Sequence, residues 1–390
     1  MRELFVREIH ILLVHPIYFI CMVLMPLLIT LFFTSLMEEG VPENIPIGIV
    51  DLDQTTTTRK LTRMVDAFQS TKVAAHYPTV AEARHAIQRN EIYGFILFPK
   101  DMTSDMLAFR QPKMSFYYSN TSMTAGSLIY KDMKTVCTLA AAGVGQGVMQ
   151  AKGMTPEQIK TALQPIVLDT HLIGNPWASY NIYLSFMLIP GTILLLIFLV
   201  TVYSLGIEIK FRMRRENDRD NKGWLEMAHG DFGMAIFTKI LPQTIVFICV
   251  FILVYSYLFG WLHFPHPGGF WRIMLLTTIG VISAQGFGVF IFGLIPSMRM
   301  AMSVSSLWGV LSFSMAGTAF PIFAMDAPLQ GISWMFPMRH YYLIYQLCIL
   351  NTYPLTDVLI DIFAMLSLAF LPLLVIKRIE HAFVNYEYEP

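Results

Sequence analysis

Asp51 and Asp53 stand two residues apart and are followed by four threonines, Thr55 to Thr58. Oxygen atoms so gathered could approach a hard cation. A calcium shell takes roughly six to eight oxygens, and two carboxylates do not fill one. The ordinary service of such residues is at a helix start, where Asp53 or Thr55 accepts from an unpaired backbone N–H. His263 and His266 flank Pro265, but no third ligand stands near them to complete a zinc site. Asp357 and Asp361 lie one helical turn apart at the beginning of an apolar run. A negative charge there suits the positive end of a helix, whereas a proton relay would need acids deeper in an apolar environment.

Catalytic patterns are missing. No Gly-x-x-x-x-Gly-Lys-[Ser/Thr] phosphate cradle occurs, and neither does His-Glu-x-x-His or Cys-x-x-Cys. No Ser-His-Asp or Cys-His arrangement stands out. The chain is therefore not expected to be an enzyme, to carry a cofactor or metal, or to bind ATP by the P-loop route. Zero net charge argues against a nucleic-acid partner.

The remaining chemistry-bearing stretch is an island of charge, Glu208 to Lys239. It holds Lys210, Arg212, Arg214, Arg215, Arg219, Lys222 and Lys239 against Glu208, Glu216, Asp218, Asp220, Glu226 and Asp231. Long apolar runs flank it, Ile182 to Leu205 and Ile240 to Leu258. A bilayer core takes about 20 helical residues, so each run is long enough to span. Hydrophobic residues make up 55% of the 390-residue chain and charged residues 14%, against about 25% charged in soluble domains. This is the composition of a polytopic membrane protein.

The elements that position these residues follow in chain order. Arg2 to Pro16 carries Leu4, Phe5, Ile9, Leu12 and Leu13 at helical spacing among charges, which predicts a helix lying at the interface. The first span, Ile17 to Leu36, is kinked at Pro26; it is too long for a signal-peptide core and is expected to be retained. Residues 38–180 lack any run of spanning length and read as an α/β domain. Its strands are Pro46–Val50, Lys72–Tyr77, Tyr93–Phe98 and Met114–Tyr118. Its helices are Thr55–Phe68, Val80–Arg89, Asp101–Phe109, a long one from Ser122 to Lys152, and one opening at Thr155-Pro156. Alanine and glycine over Leu139–Gly147 predict close packing of that long helix. Further spans fall at about Tyr183–Leu205, Ile240–Leu258, Ile273–Ile295, Met300–Phe320 and Val358–Ile376. Gly280, Ala284 and Gly288, and Ser305, Gly309, Ser312 and Ala316, allow close helix approach within one chain or across a dimer.

Short loops rich in Lys and Arg stay in the cytoplasm. Placing the island inside puts Arg2, Arg7, its own seven cations, Arg299, Lys377 and Arg378 on one side, and only Arg272 and Arg339 in short segments on the other. The expected fold is an α-helical polytopic membrane protein with six transmembrane helices plus re-entrant helices and an inserted α/β extracytoplasmic domain. Its parts are 1–37 (interfacial helix and first span), 38–180 (extracytoplasmic domain) and 181–378 (five spans, with a cytoplasmic loop at 207–239 and an outer segment at 321–354), then a tail at 379–390. Both termini face the cytoplasm.

The order of interfacial helix, span, large external domain and five spans resembles the permease subunits of ABC-2 type exporters along essentially the whole chain. Three stretches carry the likeness. Arg2-Glu3-Leu4 through His15-Pro16 is similar to the family's amphipathic first helix, and Pro46 to Gln54 to the opening strand of its external domain. Most specific is Ser314 to Tyr342, where Gly317, Phe320-Pro321, Pro328 and Phe336-Pro337 occupy the places of the family's pattern. The resemblance implies that this stretch forms a pair of re-entrant helices that gate the outer face. Irregular backbone at membrane depth survives only where protein or a wet cavity satisfies it, and its apolar patches would otherwise be exposed to water. The resemblance also implies that the charge island couples to a nucleotide-binding subunit through Glu208, Arg214, Arg215, Glu216, Gly223 and Glu226. Trp224 departs from the family's usual Thr, and the stretch from Gly223 to Lys239 is short. A loop that merely meets lipid headgroups is the alternative.

What the family implies beyond this is a dimer of permeases, identical or paralogous, in a bacterial inner membrane. ABC-type ATPase subunits bind the ATP, and a periplasmic adaptor can meet the external domain. Two other functions compete: a membrane-anchored extracytoplasmic sensor or binding protein, and an ion-coupled transporter. Five further spans are excessive for an anchor, and the spans show no acid well inside them.

Overall fold

The computed structural model describes residues 2–36, 38, 40–108, 110–163, 175, 178–215, 224–228 and 230–385. The chain divides into two compact units, Glu39–His171 and the remainder, Met1–Glu38 with Leu172–Pro390.

In the first of these, four strands order as β2-β1-β3-β4, with β1 Ile45–Asp51, β2 Thr71–His76, β3 Gly94–Phe98 and β4 Ser115–Tyr118. β1 runs parallel to β2 and β3, and β4 is antiparallel to β3. Side chains of a strand alternate between faces. Ile45, Ile47, Ile49, Ile96 and Phe98 accordingly pack under the helices Thr56–Asp66 and Met123–Ala151, whereas Val50 and Phe95 meet the helix Val80–Gln88 on the other face.

The turn after β1 explains the Asp51–Asp53 pair. Asp51 Oδ1 accepts from the backbone N–H of Asp53 and Gln54, and its Oδ2 from Thr58. Asp53 Oδ2 accepts from Thr55 and from the hydroxyl and backbone N–H of Thr103. Thr55 itself is the N-cap, accepting from the Thr58 N–H at 3.3 Å. Both carboxylates thus serve the turn.

The long helix corrects one expectation. Among the described residues, a Cβ added at Gly143 or Gly147 would meet nothing within 4 Å, and of these three glycines only Gly145 faces a neighbour, Leu163. Small side chains were sufficient for helix formation there without implying close packing along the whole run.

The other unit is a helical bundle. Among the described residues, five helices are long and apolar enough to cross a membrane: Pro16–Leu36, Tyr180–Lys210, Phe232–Trp261, Phe270–Leu294 and Leu355–Val384. The helix at the expected fifth position, Met298–Met315, has 18 residues and is rich in serine, and it falls outside that set. His15 is extended (φ −88°, ψ 112°) before Pro16, as the proline ring demands of its predecessor. This ends the N-terminal helix, Arg2–Val14. A π turn over Ile20–Leu24 leads into Pro26, whose missing N–H such a turn accommodates.

Two helices exceed the apolar runs that suggested them. One runs from Tyr180 through the charges to Arg215, and another begins at Phe232. The C-terminal helix Pro372–Asn385 likewise carries through residues assigned to a tail, burying Ile379, Ala382 and Phe383. The small residues pack within the chain: Gly280 against Tyr341 and Met365, Gly288 against Thr201, and Gly309 against Leu195.

Candidate functional site

The charge island is anchored by a four-residue ion cluster, three of whose members are buried and the fourth, Arg7, partly so. The N-terminal helix contributes Arg7 and Glu8, the helix Tyr180–Arg215 contributes Glu208 near its end, and the helix Phe232–Ser256 contributes Lys239 in its second turn. Lys239 Nζ donates to Glu8 Oε2 and Glu208 Oε1, both at 2.9 Å. Arg7 donates through Nη2 to both oxygens of Glu208, at 2.9 and 3.1 Å, and through Nη1 to Glu8. Glu8, Glu208 and Lys239 are 2%, 5% and 1% exposed. Two cations face two carboxylates, so the cluster is formally neutral. Moving each ion out of water costs several kcal/mol, and here each ion meets two opposite partners.

Aromatic rings roof this cluster. Trp224, on the short helix Trp224–Met227, places its ring centroid 5.4 Å from Lys239 Nζ, within the range of a cation–π contact. The same ring meets Phe232 at 5.7 Å and Phe383 at 5.3 Å. The tryptophan that departs from the family pattern is therefore an inward packing residue, 3% exposed. In this way the two mouths of the loop, the N-terminal helix and the C-terminal helix share one core.

Of the residues expected to couple, Glu208 lies in the cluster. Glu216 and Gly223 lie outside the described residues. Arg214 and Arg215 close their helix and Glu226 lies on the short helix, but their side chains are outside what the structure describes. Sequence reasoning assigned Glu208 and Lys239 to a hydrated loop; the helices extend through them and bury both. A signal was present. Leu4, Glu8 and Ile11 share one helical stripe, as do Ala235, Lys239 and Gln243, so each charge sits on an apolar or buried face.

At the opposite end of the sequence's C-terminal half lies the Pro-rich segment. Gly317 adopts φ 84° just past the helix Met298–Met315, a conformation that favours glycine. A Cβ there would also stand 2.8 Å from Ile322 Cγ1. Phe320 is exposed and Pro321 precedes the turn Ile322–Ala324. Pro328 lies in the first turn of the helix Ala327–Ser333 and Pro337 opens the helix Pro337–Ile344, both positions that need no N–H. Phe336 is buried and stacks on Trp308 with centroids 4.6 Å apart.

The two short helices differ in surroundings. Ala327–Ser333 is largely exposed, whereas every residue from Pro337 to Tyr342 is buried. Tyr342 donates its hydroxyl to the Met187 carbonyl. The Tyr341 and Tyr255 hydroxyls bond at 2.5 Å, with Thr277 Oγ1 3.2 Å from Tyr341. His340 places Nδ1 2.8 Å from Asp361 and Nε2 3.0 Å from the Trp334 carbonyl. Asp361, expected only to favour a helix end, thus also fixes a buried histidine from the preceding segment. His266 is engaged too, stacking on Phe259 at 4.4 Å and meeting the Phe264 carbonyl.

A sequence model of the family described as "ABC-2 family transporter protein" matches residues 16–376. No curated protein matches the chain.

Proposed function

The chain belongs to the ABC-2 family of transporter proteins, and on that premise we propose that it is the permease subunit of an ATP-driven exporter, coupled through residues 207–239 to separate nucleotide-binding subunits. A multi-pass membrane protein with a transport role follows from the family and from the long apolar helices. The family works in general with ABC-type ATPases. The observation that carries the finer reading is the cluster of Arg7, Glu8, Glu208 and Lys239. It ties both mouths of the charged loop to the N-terminal helix. A push on the loop by an ATPase would be passed to two spans and to that helix as one body, not absorbed by a flexible tether.

In this reading the loop, both termini and the ATPases face the cytoplasm of a bacterial inner membrane, and residues 38–180 lie outside. The helix Met298–Met315 crosses as the fifth of six spans. Its 18 residues rise about 27 Å at 1.5 Å each, close to the thickness of a bilayer core of about 30 Å. The segment 321–354 re-enters from the outer face, with Gly317, Phe320, Pro321, Pro328, Phe336 and Pro337 shaping its turns. Substrate passes between two permease copies, and an adaptor can engage the external domain.

The test replaces Arg214, Arg215 and Glu216 together and measures ATP hydrolysis by the copurified complex. Loss of permease-stimulated hydrolysis is expected. Stimulation and export that both persist would remove the coupling role. Absence of any ATPase in the purified wild-type complex would favour a sensor.

A further inference from the structure

Arg339 is a buried cation for which the described residues supply no acceptor. It is 8% exposed. Its Nε and Nη1 are buried without a hydrogen-bond partner, and it forms no ion pair among the described residues. No hydrogen bond from Nη2 is found among the described residues either, and Nη2 is the guanidinium nitrogen outside the fully buried pair. Asp361, whose charge acts on Arg339, is held by His340 at 2.8 Å. Burying a cation without a hydrogen-bonded counter-ion is unfavourable, and an anion at Nη2 would offset that.

The surroundings define the anion. Trp334 lies with its ring 4.5 Å from the Arg339 Cζ, covering one guanidinium face. The turn after Trp334 opens the eight-residue helix Pro337–Ile344, whose N-cap, Phe336, provides no side-chain cap. Arg339 therefore adds its charge at the positive end of a helix dipole. Trp334 and its chain neighbours Ile332 and Met335 are exposed and apolar.

We propose that Arg339, in the first turn of Pro337–Ile344, binds the phosphate of an anionic phospholipid whose acyl chains lie on Ile332, Trp334 and Met335. Arginine suits phosphate oxygens as a planar donor, and the apolar collar selects an amphiphile over a free ion. The inference goes beyond the transport reading and requires only that this end of the bundle meet lipid.

The full-length chain is purified in detergent and titrated with phosphatidylglycerol, phosphatidylcholine or inorganic phosphate, and bound adducts are counted by native mass spectrometry. Phosphatidylglycerol is expected to bind the wild type in preference to phosphatidylcholine. Arg339→Gln should weaken that binding about tenfold or more, and Arg272→Gln should leave it unchanged. Competition by millimolar inorganic phosphate would assign the site to the free ion and overturn the lipid. Equal phosphatidylglycerol binding by wild type and Arg339→Gln would overturn the site. If Arg339→Gln does not fold, phosphatidylglycerol with a diazirine in its acyl chain is crosslinked to the wild type. Adducts within residues 320–339 support the proposal, and adducts confined elsewhere overturn it.

Discussion

Lys239 and Glu208 meet at 2.9 Å across the base of the charged loop, one at the beginning of a span and the other near the end of the preceding one. Their contact closes the loop where it leaves the bundle. Removing one member of a buried ion set leaves a charge without compensation, at a cost of about 3–5 kcal/mol. Lys239→Met should therefore lower the thermal unfolding temperature of the full-length protein sharply. Lys239→Met combined with Glu208→Leu leaves the Arg7–Glu8 pair balanced. The double variant should recover much of the loss, and a double loss equal to the sum of the singles would show that the four charges act independently.

Two aspartates of the α/β unit should respond oppositely to pH. Hydrogen bonds from the Thr103 side chain, and from Thr55, hold Asp53 below the ordinary aspartate range. Its contribution is present above the unfolded pKa of about 3.9 and is lost as pH falls through the folded value. Burial pushes Asp132 up, against the pull of Ser70 and Lys131, and its Oδ2 has no partner. The ionised form is the costly one there, so stability declines as pH rises through the raised value. Hydrogen exchange over residues 45–136 of the full chain measures both. Asp53→Asn should lose protection at pH 7 and match the wild type in acid, while Asp132→Asn should gain protection at pH 7.

Glycines of this chain divide by what lies beyond their Cα. At Gly286 an added Cβ would stand 2.6 Å from the Ala369 carbonyl oxygen and 2.7 Å from its Cα. Backbone cannot yield as a side chain can, so Gly286→Ala should destabilise by about 1–3 kcal/mol. Gly143 lies inside a helix, and an added Cβ there would meet none of the described residues within 4 Å. Gly143→Ala should stabilise its helix by about 0.5–1 kcal/mol. Thermal unfolding of each variant checks the sign.

Tyr342 fastens the Pro-rich segment to the span Tyr180–Lys210 through the Met187 carbonyl. Tyr342→Phe keeps the ring and removes that donor. A loss of about 0.5–1.5 kcal/mol is expected, with faster exchange at residues 337–344 as its local signature.

Much of this architecture was legible from periodicity. The short apolar run Pro46–Val50, and an N-cap at Asp53 or Thr55, are local signals that tertiary context did not override. Gly317, Pro321, Pro328 and Pro337 marked their turns because φ and the missing N–H are properties of single residues. The ion cluster was not legible as a cluster. Its bonded members are separated by up to 231 positions, and charge reads as hydration until a partner on another helix is known. Ends of the long helices failed for the same reason, since Glu208 and Lys239 looked like loop residues while their pairing let the helices continue. The Asp361–His340 bond joins residues 21 apart, and nothing local in either announces the other.

The account rests on the charged loop and the α/β unit facing opposite sides of one membrane. Epitope tags inserted after residue 100 and after residue 218 of the full-length protein, read by antibody access to intact cells and to permeabilised cells, test this directly. The tag at 100 should be reached in cells whose outer surface of the inner membrane is exposed, and the tag at 218 only after that membrane is opened. Both tags reporting the same side would contradict the account.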